Sequence, residues 1–227
     1  MKKVISFAMI LSLIFAFAGC GNKADEKTVT SQSAQNEAVE SNSDTEQAKE
    51  ETPSANKSIV IYFSRAGEQY GVGVIDKGNT AIIAEMIAES TGSDIFEIEP
   101  TDNRYDLSYN DLTDYAKKEQ NVNARPEYKG SVDLSAYDTV YLGYPIWWGD
   151  LPMIVYTFLE NNDFSGKTVY GFCTHAGSGS AGTGTKLANT LSGSYVNTDI
   201  LAIAGTTAQN EQSSAKQSVE EWLSEIG

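Results

Sequence analysis

What most constrains this chain is a set of short runs that are apolar from end to end, each followed by a segment of helical character. Ser58–Ser64 (SIVIYFS), Thr139–Ile146 (TVYLGYPI), Thr168–His175 (TVYGFCTH) and Asp199–Thr206 (DILAIAGT) are rich in β-branched and aromatic residues. They lack the alternation of a strand with one wet face, so they suit strands buried on both sides. Asp94–Pro100 (DIFEIEP) adds another strand. Between them, Asn79–Ser90 has helical spacing, with Ile83, Met86 and Ile87 inward, Glu85 and Glu89 outward, and Asn79 or Thr80 as the expected cap. Ser108–Gln120, Met153–Asn161, Thr185–Ser192 and Asn210–Ile226 supply further helices. Strands alternating with helices in this way predict an α/β fold: a doubly wound, five-stranded parallel sheet with helices on both faces. Ligands of such sheets sit at the carboxyl ends of the strands. The loops after the first, third and fourth strands are therefore the ones to read for chemistry.

The first 57 residues stand apart from this pattern. MKK is a positively charged start, and Val4–Ala18 is an apolar run of 15 residues. That is short of the roughly 20 needed to span a bilayer, so residues 1–19 read as a signal peptide. Phe17-Ala18-Gly19-Cys20 resembles a bacterial lipobox, which makes Cys20 the expected lipidation site. Two or more acyl chains there would anchor the chain stably. Residues 20–57 then form an acidic tether, expected to be disordered because it has almost nothing apolar to bury. As a flexible coil it would reach roughly 35 Å. The domain proper is 58–227, lipid-anchored on the extracytoplasmic face of the cell membrane.

Lipidation would leave Cys173 as the sole thiol, so no disulfide within the chain can support the fold. A core of this size suffices without one. The formal charge is −15 over the whole chain, and residues 58–227 carry 10 Lys/Arg against 23 Asp/Glu. Nucleic acid is thereby disfavoured as a partner, and a soluble, partner-steering surface is favoured.

Several chemistries lack their residues. With one histidine, no cysteine pair at zinc spacing and no G-x-S-x-G, neither a zinc site nor a Ser-His-Asp hydrolase is supported. Gly177–Gly182 (GSGSAG) fits G-x-G-x-x-G, with Asp199 lying 17 residues beyond. It follows the fourth strand, whereas that fingerprint belongs to the first, so it reads as a loop of small residues near a ligand. The first loop is more telling. FSRAG ends strand one and Gly78-Asn79-Thr80 opens the helix, bringing hydroxyls and free N–H groups together as an anion site. The third loop, Tyr144–Pro152 (YPIWWGDLP), places two tryptophans side by side. Neighbours in extended backbone point opposite ways. One indole can pack beneath the sheet edge while the other faces the crevice as a platform for a flat ring.

With G-N-T at the start of helix one and Trp148-Gly149-Asp150 in the third loop, residues 58–227 resemble the flavodoxins, FMN-binding electron carriers with strand order 2-1-3-4-5. The resemblance implies a phosphate cradle of Ser64, Arg65, Ala66, Gly78, Asn79 and Thr80. It implies that Trp148 or Trp147 stacks on the flavin, in a loop shaped by Pro145 and Gly149. The Gly149 peptide would turn toward the reduced ring, and Asp150 would disfavour the reduced anion. Thr174, His175, Ala176, Gly177 and Ser178 would line the other side. Two departures are evident. Eleven residues, Gly67–Lys77, split the phosphate loop, leaving Gly67 and Gly78 as alternatives for its glycine; and the fourth loop offers small residues and His175 where an aromatic is common. Three functions follow: an FMN electron carrier, an FMN-dependent NAD(P)H or quinone reductase, or a flavin-free binding lipoprotein on the same fold. The partner would be a redox protein or a quinone.

Overall fold

The computed structural model describes residues 57–227. The expected signal peptide, Cys20 and all of the expected tether except Lys57 lie outside the described residues. The chain runs through β1 (Ser58–Tyr62), β2 (Gly67–Gln69), β3 (Gly73–Ile75), α1 (Asn79–Thr91) and β4 (Asp94–Glu97). It continues through α2 (Tyr109–Asn121), β5 (Thr139–Pro145), α3 (Met153–Asn161) and β6 (Thr168–His175). It closes with α4 (Thr183–Thr190), β7 (Tyr195–Ala204), α5 (Gly205–Asn210) and α6 (Gln212–Ile226).

Five of these strands form one parallel sheet in the order β4-β1-β5-β6-β7. Numbered among themselves they read 2-1-3-4-5, the expected order. Successive side chains of β1 divide between the faces, as the period of two requires. Ile59, Ile61 and Phe63 pack with Leu112, Ile154, Phe158 and Leu187 from α2, α3 and α4. Val60 and Tyr62 pack with Ile83 and Ile87 of α1 and Val219 and Trp222 of α6. Both faces are covered, which is why the strands read as apolar throughout. Cys173 is fully buried within β6, and burial pushes its thiol pKa up to about 12.

Three local expectations change. β7 begins at Tyr195, four residues before Asp199, because it is an edge strand whose exposed positions break the apolar run. The closing helix is interrupted at Glu211, whose backbone is not helical (φ −133°, ψ 48°), and Gly205-Thr206 open α5 instead of ending the strand. The Gly67–Lys77 insertion contains an antiparallel hairpin, β2–β3, in register Gly67–Ile75 and Gln69–Gly73.

Helix α4 lies so close to β7 that a Cβ on Gly184 would fall 2.0 Å from the Thr198 carbonyl oxygen. Helix propensity alone favours Gly184→Ala by about 1 kcal/mol. The packing reverses the sign, and the substitution should destabilise by about 1–3 kcal/mol. Thermal unfolding checks this as a fall in Tm of several degrees; an unchanged or raised Tm would show that the contact is not tight.

Candidate functional site

The split loop is closed. A Cβ on Gly78 would lie 2.2 Å from Ser64 Oγ and 2.5 Å from the Arg65 carbonyl oxygen, so only glycine lets the two ends meet. Gly78, not Gly67, therefore seals the loop; closure over eleven inserted residues costs little extra entropy. Ser64 Oγ accepts the Ala81 N–H at 3.0 Å, a helix cap delivered from the far side of the insertion. It replaces the expected cap from Asn79 or Thr80, since Gly78 occupies the cap position. Asn79 Oδ1 instead accepts from Gln209, and the buried Thr80 hydroxyl shares a 2.8 Å hydrogen bond with Thr174. Of the first amides of α1, that of Ala81 is bonded to Ser64 and that of Ile82 to the Gly78 carbonyl. Among the described residues those of Asn79 and Thr80 have no hydrogen-bond partner, as the first amides of a helix do not, and Thr80 is itself buried.

Arg65 departs from its expected role. Its guanidinium donates to the carbonyl oxygens of Tyr105 (2.8 Å), Glu68 and Leu107. It ties the insertion to the segment before α2 and has little left for a phosphate. Ser64, Arg65 and Ala66 border a separate depression with Asp102, Tyr105 and Lys129, while Asn79 lines the main cavity.

In the third loop, Trp147 and Asp150 exchange two backbone hydrogen bonds of 2.9 and 3.1 Å. Trp148 (φ +52°) and Gly149 (φ +69°) form the turn between them, a primed hairpin turn that favours Asn-Gly. The two indoles part here. Trp147 packs edge-on against Phe63 and Tyr105, with centroids 5.4 and 5.1 Å away. Trp148 is 53% exposed, donates Nε1–H to the Thr113 carbonyl at 2.7 Å, and has Lys117 Nζ 5.2 Å from its ring. Gly149 leaves its carbonyl to Lys186 at 3.0 Å. Asp150 pairs with Lys186 at 2.9 Å and accepts from Tyr156 and Leu151. It does not line the cavity, where it was expected. Its carboxylate is turned to a lysine.

The fourth loop divides as well. Thr174, His175 and Ala176 reach the cavity; Gly177 and Ser178 do not, and Ser178 Oγ donates to the Gly179 carbonyl. His175 Nδ1 accepts the Gly177 N–H at 3.0 Å, placing its proton on Nε2. Burial holds its pKa below the usual value, opposed in part by the Ala202 carbonyl. The ring is neutral at pH 7 and serves to tie the loop. None of the GSGSAG residues lines the cavity, contrary to the expectation of small residues near a ligand there.

These loops enclose a cavity of about 420 Å³, a size typical of ligand sites. Pro145, Ile146 and both tryptophans form one part of its wall, and Gly205 contributes from α5. Sequence reasoning missed Gln69 and Tyr70 from the insertion and Tyr109, Leu112, Thr113 and Ala116 from α2. The one available hint was the single aromatic of the insertion, Tyr70. No lysine, arginine, aspartate or glutamate lines the cavity. Among the described residues no cluster of His, Cys, Asp or Glu could hold a metal.

Sheet order and crevice together define a doubly wound α/β protein of flavodoxin-like architecture. The chain belongs to the flavodoxin family, whose model matches residues 57–226. Among solved structures it is 28% identical to a chain from Bacteroides eggerthii assigned as a flavoprotein, with a TM-score of 0.59, covering 76% of this chain and 98% of that one. A similarly assigned chain from Bacteroides uniformis is also 28% identical, with a TM-score of 0.60 and coverages of 74% and 98%. A flavoprotein from Lactobacillus acidophilus, solved in complex with FMN, shares the fold at 21% identity and a TM-score of 0.52, covering 70% and 99%. No curated protein matches the sequence.

The neutral His175 gives a pH dependence of known sign. Its folded pKa is lowered, so its contribution to stability is complete above about pH 6.5 and is lost as pH falls toward the folded value. The stability difference between the parent and His175→Gln should shrink between pH 7 and 5 in denaturant unfolding. A constant difference would show that the imidazole does not titrate there.

Proposed function

We propose that this chain is an electron-transfer flavoprotein that binds FMN noncovalently at the carboxyl edge of its sheet. The observation that carries the reading is Trp148. A bulky L-residue at positive φ is strained, and Asn or Gly would serve the turn better. The exposed indole at the cavity wall therefore has a use other than the turn itself, and a flat ring is what an indole face binds well. The cavity fits such a ring: it has the volume, an aromatic wall and a neutral lining.

Trp148 would face the isoalloxazine, with Pro145, Trp147 and Gly149 fixing its loop. Thr174, His175 and Ala176 would border the ring from the fourth strand. The Asn79 and Thr80 amides, backed by the α1 dipole, would meet the phosphate, with Gly78 letting the backbone approach. When bound, FMN supplies one- and two-electron redox chemistry. The protein orients the ring and keeps water off one face; no lysine or arginine lines the cavity, and Lys117 lies outside it with Nζ 5.2 Å from the Trp148 ring.

Lipidation of Cys20 and display on the outer face of the membrane complete the proposal, with residues 20–57 as tether. A redox protein or a quinone is the partner this setting supplies. The uncharged lining gives the pyrophosphate of NAD(P)H no cation to pair with, which favours electron transfer over a pyridine-nucleotide reductase.

Titration of the protein with FMN tests the reading. Joint quenching of flavin and tryptophan emission, at micromolar affinity or tighter, is expected; no quenching would overturn it in favour of a flavin-free binding protein. Trp148→Asn should weaken FMN binding about tenfold or more, on the scale of one lost stacking contact, with Tm equal or higher because the strain is relieved. Trp147→Phe should do the reverse, lowering Tm with little change in affinity. Equal losses of affinity in both variants would sink the division of labour between the two rings.

A further inference from the structure

The cavity has two walls of different origin. One comes from the loops after β1, β5 and β6, which the flavin reading uses. The other comes from the insertion and α2: Gln69, Tyr70, Tyr109, Leu112, Thr113 and Ala116. Nothing in the flavin reading requires this second wall, yet the chain builds it with care. Strands of three residues do not stand alone, and β2–β3 is stitched to the rest at several points. The Glu68 carboxylate accepts the Tyr109 N–H at 2.8 Å, at the start of α2. Gln69 Nε2 donates to the Arg65 carbonyl at 3.1 Å, and Arg65 itself holds the carbonyls of Glu68, Tyr105 and Leu107. The rings of Tyr70 and Tyr109 lie 5.9 Å apart at an angle of 40°.

The chemistry of this wall selects its ligand. Tyr70 is 62% exposed at the rim. Among the described residues neither its hydroxyl nor that of Tyr109 has a hydrogen-bond partner, whereas the Thr113 hydroxyl is taken by the Asn110 carbonyl and the Gln69 amide by Arg65. Two aromatic faces with two unengaged phenols match a flat ring bearing carbonyl oxygens, since a phenol donates where a carbonyl accepts. This wall offers a charged ligand no ion pair, because none of its lining residues is charged.

We infer that Tyr70 and Tyr109, with Leu112 and Ala116 of the same wall, form a subsite for an uncharged, planar, carbonyl-bearing aromatic of the quinone class, beside the flavin position. The inference rests on the flavin reading only in naming what lies next to the subsite.

The test uses the FMN-loaded chain, oxidised and without reductant, titrated with menadione and followed by calorimetry and tryptophan emission. Saturable binding with FMN retained is expected. Tyr70→Ala and Tyr109→Ala should each weaken menadione about tenfold, with FMN affinity within about twofold of the parent and Tm unchanged. The Tyr70→Phe/Tyr109→Phe double variant should lose several-fold, isolating the hydroxyls. Displacement of FMN by menadione, or equal binding by parent and both alanine variants, overturns the subsite. Should the chain take up no FMN, the flavin reading alone fails. Menadione titrated onto the flavin-free chain then decides, with tyrosine-dependent binding sustaining the subsite and no binding overturning it.

Discussion

The arrangement of the site depends on one missing methyl group. At Gly78 the backbone approaches Ser64 Oγ and the Arg65 carbonyl more closely than any Cβ could tolerate. This contact lets α1 begin directly against the end of β1, although eleven residues intervene. Ser64 can then cap the helix by bonding the Ala81 amide, and Thr80 can reach Thr174 on β6. The first and fourth loops are thus joined by a buried hydroxyl pair beneath the cavity. The intervening residues are expelled as a hairpin that becomes a wall.

The tryptophan pair shows how a tight turn divides labour between adjacent residues. Trp147 is held among Phe63 and Tyr105 and fixes the loop to the core. Trp148 is pushed into a left-handed conformation that its own side chain disfavours. Its indole N–H is bonded to α2, Gln120 Nε2 lies 3.4 Å from its carbonyl, and Lys186 braces the Gly149 carbonyl and the Asp150 carboxylate. The turn is over-determined from both sides, which is the circumstance in which local strain persists.

Much of the architecture was legible in the sequence because strands buried on both faces cannot avoid being apolar throughout. The same logic hid the first half of β7, where an edge position admits Thr198 and Asp199 to solvent. Loops one, three and four were identifiable because their glycines and adjacent indoles have few structural uses. Sequence could not assign the two indoles, since the choice depends on where Phe63, Tyr105 and Thr113 fall in space. Nor could it show that Arg65 faces carbonyls instead of a phosphate, or that Asp150 is claimed by Lys186, because those partners lie about 36 to 42 residues away along the chain. The second wall was invisible for a related reason. Its residues acquire a common purpose only when the insertion folds onto α2.

Cys173 is fully buried in β6, and burial raises its thiol pKa to about 12. At neutral pH almost none of it is thiolate, the form that attacks disulfides and reacts with peroxides. Among the described residues the one cysteine is therefore unsuited to act as a sulfur switch. Oxidants that reach the surface leave the fold without a route to cross-linking through this residue, because its sulfur is fully buried.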